Sequence, residues 1–113
     1  MIERYRFGII VINQKNYHHD VILFDDQVID DWWRAKGHEL CIADIIHPVE
    51  RFHPEVVVVG TGKFGIMKVL PETKDWLFSR QIELVTQKTD DACRTYNELS
   101  VARPVMGAFH LTC

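Results

Sequence analysis

A glycine-rich turn at residues 60–65 directly follows the β-branched run Val56–Val59. Such a run predicts a buried strand, and glycines at its carboxyl end leave backbone N–H groups available to phosphates and other anions. The turn also carries a hydroxyl and a lysine, and two further cations could supply charge. The candidate ligand-binding residues are Gly60, Thr61, Gly62, Lys63, Gly65, Lys68 and Arg94.

The same glycines also have a purely structural interpretation, in which they let the chain turn sharply and pack against a neighbouring element. A dinucleotide-binding turn would open directly into a helix, whereas Ile66–Leu70, just before Pro71, predicts more extended chain. The lysine spacing of a P-loop is also absent. We therefore favour the structural interpretation and keep an anionic or nucleotide-like ligand as the alternative.

The sequence Trp32-Trp33-Arg34 has the composition of a protein-interaction hot spot, where tryptophan and arginine are enriched. We expect it within a strand over Val28–Arg34, in which neighbouring side chains point to opposite faces. One indole would then be buried, and the other would face solvent or a partner. The alternative is that both rings are buried between layers. The candidate interface residues are Trp32, Trp33 and Arg34.

Two further pairs of residues could do chemistry. His18 and Asp20 would share one face of a strand and could ligate a metal ion, although exposed polarity on a hairpin is the simpler interpretation. Cys93 and His110 could meet as thiolate and base, although a cysteine on an amphipathic helix usually belongs to the core. Neither pair carries a strong signal, and we predict no bound metal and no cofactor.

The composition indicates one globular domain of residues 1–113. The 113 residues are 47% hydrophobic and carry a net charge of -3, with no basic cluster of the kind that tracks nucleic-acid phosphates. The sequence shows no secretory signal and no membrane span, so we expect a cytoplasmic protein that binds neither nucleic acid nor membrane. The cysteines, Cys41, Cys93 and Cys113, are an odd number without C-x-x-C spacing, which predicts reduced thiols.

Hydrophobic patterns predict β structure in the first third of the chain. Tyr5–Ile12 and Tyr17–Phe24 are β-rich runs separated by a polar turn, and they predict a hairpin. Val28–Arg34 and His38–Ile42 flank a second turn and predict another small β unit. We therefore expect the N-terminal third to form an added β layer.

The rest of the chain alternates between helical and extended patterns, which is typical of α/β folds. A helix is expected over Asp44–Phe52, although Pro48 inside it predicts a kink or a later start. Thr89 is expected to cap the last helix. The remaining predicted elements are a strand over Val56–Val59, a helix from Pro71, a strand over Ile82–Thr86, a helix over Asp90–Leu99 and a strand over Val105–Thr112. Together they predict an α/β domain with a mostly parallel sheet flanked by helices.

Several segments, in this order, resemble a known family. They are Tyr5–Gly8, Asp20–Ile22, Trp32–Arg34, Gly37–His38, Gly60–Gly62, Met67–Val69, Ala92–Leu99 and Phe109–Cys113. The chain resembles, over essentially its whole length, the small Mth-type domain family of unknown function. The resemblance implies a three-layer α/β domain with a central mixed sheet, and members that act through protein partners. Pro48 falls inside a plain helix of that family, and Gln81 stands where the family often has a helix-ending glycine.

The residues and the resemblance together favour a non-catalytic protein-interaction or assembly module, which would bind a protein partner or self-associate. A role without enzymatic activity is favoured, although the sequence does not decide it, because no compelling nucleophile, base or metal constellation is visible. The alternative is a small-ligand binding protein or enzyme that uses the turn at residues 60–65. The family has no agreed catalytic residues, so the resemblance transfers none.

Overall fold

The structure, a computed structural model, describes residues 1–113 and contains ten strands and three helices. The strands are β1 (Ile2–Arg6), β2 (Ile9–Ile12), β3 (Lys15–Tyr17), β4 (Val21–Phe24), β5 (Gln27–Ile29), β6 (Glu39–Leu40), β7 (Val56–Thr61), β8 (Lys68–Val69), β9 (Glu83–Gln87) and β10 (Val105–His110). The helices are α1 (Ile42–Phe52), α2 (Pro71–Ser79) and α3 (Thr89–Leu99).

The central sheet has five strands in the order β5-β4-β10-β7-β9. Strands β7, β9 and β10 are parallel to one another, whereas β4 pairs antiparallel with β10 and β5 pairs antiparallel with β4. The C-terminal strand β10 therefore lies in the middle of the sheet, and all six of its residues are buried. At its carboxyl end, His110 is level with Thr61 of β7.

The two faces of this sheet bury separate hydrophobic clusters, because neighbouring residues of each strand point to opposite sides. On one face, Val58 and Phe109 pack with Tyr96 of α3 and with the antiparallel sheet β1-β2-β3. On the other face, Val57 and Met106 pack beneath α1 and α2. The fold is therefore a three-layer α/β domain with a mixed central sheet and an added N-terminal β layer, which confirms the predicted fold class.

The predicted N-terminal hairpin forms between β2 and β3, but the predicted bounds of its strands are wrong. The run Tyr5–Ile12 is two strands rather than one, since Gly8 takes a φ of 81° and reverses the chain between β1 and β2. The run Tyr17–Phe24 is also divided, because β3 stays in the small sheet whereas β4 joins β10 in the central sheet. The glycine that breaks the apolar run was the signal in the sequence.

The second predicted β unit does not form. In place of a strand over Val28–Arg34, β5 ends at Ile29 and pairs with β4. In place of its expected partner over His38–Ile42, the short strand β6 pairs in parallel with β8. The sequence Trp32-Trp33-Arg34 thus lies in the loop between β5 and β6, and its indoles are not separated by strand alternation.

Helix α1 begins at Ile42, two residues before the predicted start, and continues through Pro48 to Phe52. The carboxylate of Asp44 accepts a hydrogen bond from the backbone N–H of Cys41 at 2.9 Å and another from that of Ala35 at 3.0 Å. This carboxylate therefore fixes both the first turn of the helix and the loop that precedes it.

The second half of the chain follows the predicted alternation, with shifted ends. Strand β7 extends to Thr61, so Gly60 lies in the strand rather than in the turn. Helix α2 begins at Pro71, as predicted. Helix α3 begins at Thr89, and Lys88 rather than Thr89 occupies the N-cap, so the predicted cap is wrong.

Gln81 adopts a φ of 61° directly after α2, where a left-handed residue commonly ends a helix. Its N–H donates to the carbonyl of Phe78, and the N–H of Ile82 donates to that of Leu77. This is the position at which the resemblance implies a glycine. No helix of the structure is long and apolar enough to cross a membrane.

Candidate functional site

A buried carboxylate joins three distant parts of the chain at the carboxyl end of β10. Asp20, just before β4, accepts hydrogen bonds through Oδ2 from Arg34 Nη1 and His110 Nδ1, both at 2.8 Å. Its Oδ1 accepts the backbone N–H of Leu111 at 2.8 Å. The side chains of Asp20, Arg34 and His110 are only 16, 4 and 8% exposed. We call these three residues the Asp20–Arg34–His110 cluster.

The neighbours of His110 define the role of its ring. Nδ1 lies 2.8 Å from the Asp20 carboxylate, which can only accept, and 3.0 Å from Arg34 Nη2, which can only donate. Because Arg34 Nη2 also has the carbonyl of Gly37 as an acceptor at 2.8 Å, we assign the Nδ1 proton to the bond with Asp20. His110 Nε2 is buried without a protein partner.

The environment of Asp20 favours its charged form. Burial alone would raise the pKa of this carboxyl, but the hydrogen bonds from His110, Leu111 and Arg34 together lower it below its usual range. An ionised Asp20 matches the always-charged guanidinium beside it, so the pair has no net charge to bury.

Arg34 also contacts the Trp32 indole, with its guanidinium carbon 4.9 Å from the ring centroid. This distance is within the range of a cation–π contact. Trp32 is 8% exposed and its backbone N–H donates to the carbonyl of Asp20 at 2.8 Å. The loop that carries Arg34 is therefore fixed to Asp20 through both backbone and side chain.

A cavity of about 340 Å³ lies beside the cluster. Trp33 stands at its edge with 75% of its surface exposed, and its Nε1 donates to the carboxylate of Asp31 at 2.9 Å. We call this space the Trp33 cavity. It is lined by His18, His19, Asp20, Asp31, Trp32, Trp33, Arg34, Gly37, His110 and Thr112.

Two of the glycines predicted to bind a ligand, Gly60 and Gly62, pack tightly against Thr89 and the residues at the end of β10. A Cβ on Gly62, whose φ is 99°, would lie 2.8 Å from His110 Cδ2 and 2.5 Å from the carbonyl oxygen of Thr112. A Cβ on Gly60 would lie 2.8 Å from Thr89 Oγ1. Both contacts are closer than real Cβ atoms allow, so each glycine has a structural reason that needs no ligand.

The first N–H groups of the turn already donate to the protein. The N–H of Gly62 donates to Thr89 Oγ1 at 2.9 Å, and the Thr89 hydroxyl donates to the carbonyl of His110 at 2.7 Å. The N–H of Lys63 donates to the carbonyl of Thr112 at 2.9 Å. These bonds connect the turn to the end of β10, next to the Asp20–Arg34–His110 cluster.

The predicted cations already have partners within the protein. Lys63 Nζ pairs with Asp90 at 3.0 Å, and Lys68 Nζ donates to the carbonyl of Gly65 at 3.4 Å. Arg94 is exposed on α3 and pairs with Asp91. Two candidate residues remain. Thr61 is the last residue of β7, and its hydroxyl donates to the carbonyl of Gln87 at 3.0 Å. Gly65 has a φ of 71°.

The hypothesis that Cys93 and His110 form a thiolate–base pair is wrong. Cys93 is a buried residue of α3 that belongs to the first hydrophobic cluster, and burial raises its pKa to about 12. His110 instead bonds to Asp20. All three cysteines are free. His18 lines the Trp33 cavity, and no group of three or more His, Cys, Asp or Glu side chains has the geometry of a metal site.

The structure thus brings together residues that belong to separate motifs of the sequence. Trp32, Trp33 and Arg34 line the same cavity as His18, Asp20 and His110. The cluster itself was missed, because its members are separated by 14, 76 and 90 positions in the chain. All three nevertheless belong to segments that carry the family resemblance, which was the available signal.

The chain matches the model of the family described as "Protein of unknown function (DUF498/DUF598)" over residues 2–110. The chain belongs to this family. Among solved structures, it is similar to the conserved hypothetical protein PH1505 from Pyrococcus horikoshii OT3, with 25% identity, a TM-score of 0.83 and coverage of 100% of this chain and 99% of that chain.

Two other solved structures confirm the resemblance to the Mth-type domain. MT938 has 22% identity and a TM-score of 0.79, and the match covers 100% of this chain and 98% of that chain. A Mth938-like domain from Bordetella pertussis has 20% identity and a TM-score of 0.75, and the match covers 98% of this chain and 85% of that chain. At this identity the likeness establishes the fold alone.

Proposed function

We propose that this protein is a non-catalytic protein-interaction module whose partner binds over the Trp33 cavity. The observation that carries this proposal is the exposed Trp33 indole, which lines the same cavity as the Asp20–Arg34–His110 cluster. Tryptophan and arginine are the side chains most enriched among interface hot spots.

The cavity is pre-organised for binding. The Asp20 carboxylate accepts three hydrogen bonds, and Arg34 is held by Asp20, by the carbonyl of Gly37 and by the Trp32 ring. Trp33 is oriented by its bond to Asp31. Because these side chains are already fixed, little side-chain entropy would be lost when a partner covers them.

The chemistry of the lining residues supports binding rather than catalysis. None of them carries a thiol, and Thr112 is the only one with a hydroxyl. Both carboxylate oxygens of Asp20 are occupied by protein donors, and His110 uses Nδ1 for one of those bonds. A nucleophile held against a base, which covalent catalysis requires, is not formed by these groups.

Native mass spectrometry of the natively purified protein tests this proposal. We expect the wild type to retain a protein partner. Trp33→Ala should raise the dissociation constant for that partner at least thirtyfold, since truncation of a hot-spot residue weakens binding by about 2 kcal/mol or more. Phe78→Ala is the matched control, because Phe78 is an equally exposed aromatic residue that does not line the cavity. Equal retention by wild type and Trp33→Ala would contradict the proposal.

The alternative function is the binding of a small anionic or nucleotide-like ligand by the turn at residues 60–65. One observation favours it: the N–H groups of Phe64, Gly65 and Ile66 donate to no protein acceptor. A thermal-shift screen with nucleotides and inorganic phosphate tests it, since ligand at 100 times its dissociation constant adds about 2.7 kcal/mol of stability. A shift that disappears in Lys63→Gln supports the turn, and no shift in the wild type removes this alternative.

A further inference from the structure

Strand β9 forms a free edge of the central sheet, because it pairs only with β7. The N–H of Glu83 donates to Glu55 beside β7, and the carbonyl of Gln87 accepts from Thr61 of β7. Since peptide groups alternate in direction along a strand, the N–H and C=O groups of Leu84 and Thr86 point to the open side. Two residues of β9 therefore offer unpaired donors and acceptors at the edge.

This edge has few of the features that usually block strand addition. Its sequence, Glu83–Gln87, has no proline and no lysine, and its pairing with β7 shows no bulge. The opposite edge of the sheet, β5, has only three residues, whereas β9 has five. Of the two edges of this sheet, β9 is the one that can accept a further strand of useful length.

Strand β9 is complementary to a second copy of itself. In an antiparallel pair with a two-fold axis at Val85, Leu84 lies opposite Thr86 of the second copy, so the outward N–H and C=O groups of both strands bond to each other. The only charged residue of the strand, Glu83, then lies opposite the neutral Gln87. Like charges directly opposite each other would destabilise the strand pair, and this register places none in that position.

The surface next to β9 is also self-complementary. An open groove of about 940 Å³ runs between α2 and β9, and Phe78 within it is 83% exposed. Lys74 and Asp75 stand on the same patch with opposite charges. In a two-fold interface each surface meets an identical one, so Lys74 of one copy can pair with Asp75 of the other.

We propose that two copies of this chain associate through antiparallel pairing of their β9 strands, with α2 and Phe78 of each copy packing across the same two-fold axis. The pairing joins the two central sheets into one continuous sheet of ten strands. It covers the exposed Phe78 ring and satisfies the edge groups of Leu84 and Thr86. This surface shares no residue with the Trp33 cavity, so the dimer is independent of the function proposed above.

Sedimentation velocity of the full chain, from low micromolar to millimolar concentration, tests the dimer. We expect the wild type to show a concentration-dependent monomer–dimer equilibrium. Thr86→Pro removes an outward N–H at an edge position that tolerates proline, and Phe78→Ala removes the exposed ring. Each should raise the dissociation constant of the dimer at least tenfold, whereas Trp33→Ala should leave it unchanged.

A second edge variant keeps the test decisive if proline perturbs the strand. Thr86→Lys places a charge on the exposed edge without affecting the pairing with β7, and it should also dissociate the dimer. Hydrogen exchange of the wild type should slow at Leu84 and Thr86 as concentration rises. A wild type that stays monomeric at every concentration, or a dimer that persists in Thr86→Lys, would overturn the proposal.

Discussion

The buried indole of Trp32 replaces a backbone donor that helix α1 lacks. In a regular helix the N–H of residue 48 would donate to the carbonyl of Asp44, but Pro48 has no N–H. Trp32 Nε1 donates to that carbonyl instead, at 3.0 Å. The helix therefore passes through Pro48 with the half-buried carbonyl of Asp44 satisfied, and Trp32 belongs to the hydrophobic cluster beneath α1 and α2.

This exchange of donors predicts an energetic coupling between Trp32 and Pro48. Trp32→Phe should lower the free energy of unfolding by about 1–3 kcal/mol, because it leaves the Asp44 carbonyl without a partner. In a Pro48→Ala background the helix supplies its own donor, so the same substitution should cost about 1 kcal/mol less. Urea denaturation of the four proteins of this cycle measures the coupling. Additive effects would show that the indole bond does not compensate for the proline.

The Asp20 carboxyl predicts a specific loss of stability in acid. Its pKa is lowered in the folded protein, so its stabilisation is complete above the unfolded value near 4 and is lost as pH falls through the lower folded-state pKa. Asp20→Asn should cost about 3–5 kcal/mol at pH 7, because it leaves Arg34 buried without its counter-ion. The difference in the free energy of unfolding between Asp20→Asn and wild type should become smaller below pH 4.

Chemical denaturation at a series of pH values provides the measurement. Asp31→Asn is the matched control, since Asp31 is an exposed carboxylate at the edge of the same cavity. That variant should lose much less stability at pH 7 than Asp20→Asn, because Asp31 and its partner His19 are both exposed. A constant difference between Asp20→Asn and wild type from pH 7 to pH 2 would mean that folding does not lower the pKa of Asp20.

At the scale of single residues, the contacts of the site could not be predicted from the sequence. Trp32 and Trp33 were expected to be split between buried and exposed positions, and they are, with 8 and 75% of their surfaces exposed. The expected cause, strand alternation, is absent. Burial of Trp32 depends on the Asp44 carbonyl in α1, and the position of Arg34 depends on Asp20, which also binds His110. Contacts between such distant positions are set by the tertiary fold, which local patterns do not contain.

At the scale of elements, strands and helices with strong local signals were predicted well. The valine run correctly predicted β7, and Pro71 correctly predicted the first residue of α2. The N-terminal strands were not separated, because their partners depend on Gly8 and on the choice between two sheets. Short β6 and β8 pair with each other across the fold, and neither has a pattern long enough to predict.

In the glycine turn after β7, adding a single methyl group at Gly62 is expected to destabilise the fold. Gly62→Ala should lower the free energy of unfolding by about 1–3 kcal/mol, because the residue has positive φ and its Cβ would approach His110 and Thr112. Gly37→Ala is the matched control, since its Cβ would meet no atom within 4 Å. Thermal and urea unfolding measure both. Equal stability of Gly62→Ala and wild type would refute the structural role of the turn.

At the scale of the whole molecule, the C-terminal strand holds the sheet together. β10 pairs with β4 on one side and with β7 on the other, and both of its faces are covered. The small sheet β1-β2-β3 is attached mainly on one side, through cluster residues such as Ile10 and through Asn97 of α3. The central sheet and the small sheet should therefore open with different free energies.

Native-state hydrogen exchange tests this difference. Amides of β10 and β7 should exchange only through global unfolding, whereas those of β1 and β2 should exchange through a smaller, local opening. Asn97 joins the two parts, since its side chain accepts the N–H of Ile2 at 2.9 Å and donates to the carbonyl of Ile2 at 2.8 Å. Asn97→Ala should lower the protection of β1 and β2 more than that of β10, while Glu98→Ala, an exposed neighbour, should change neither. If β1 and β2 keep the protection of β10 in Asn97→Ala, the two sheets unfold as one unit, and the small sheet is an integral part of the core rather than an attached layer.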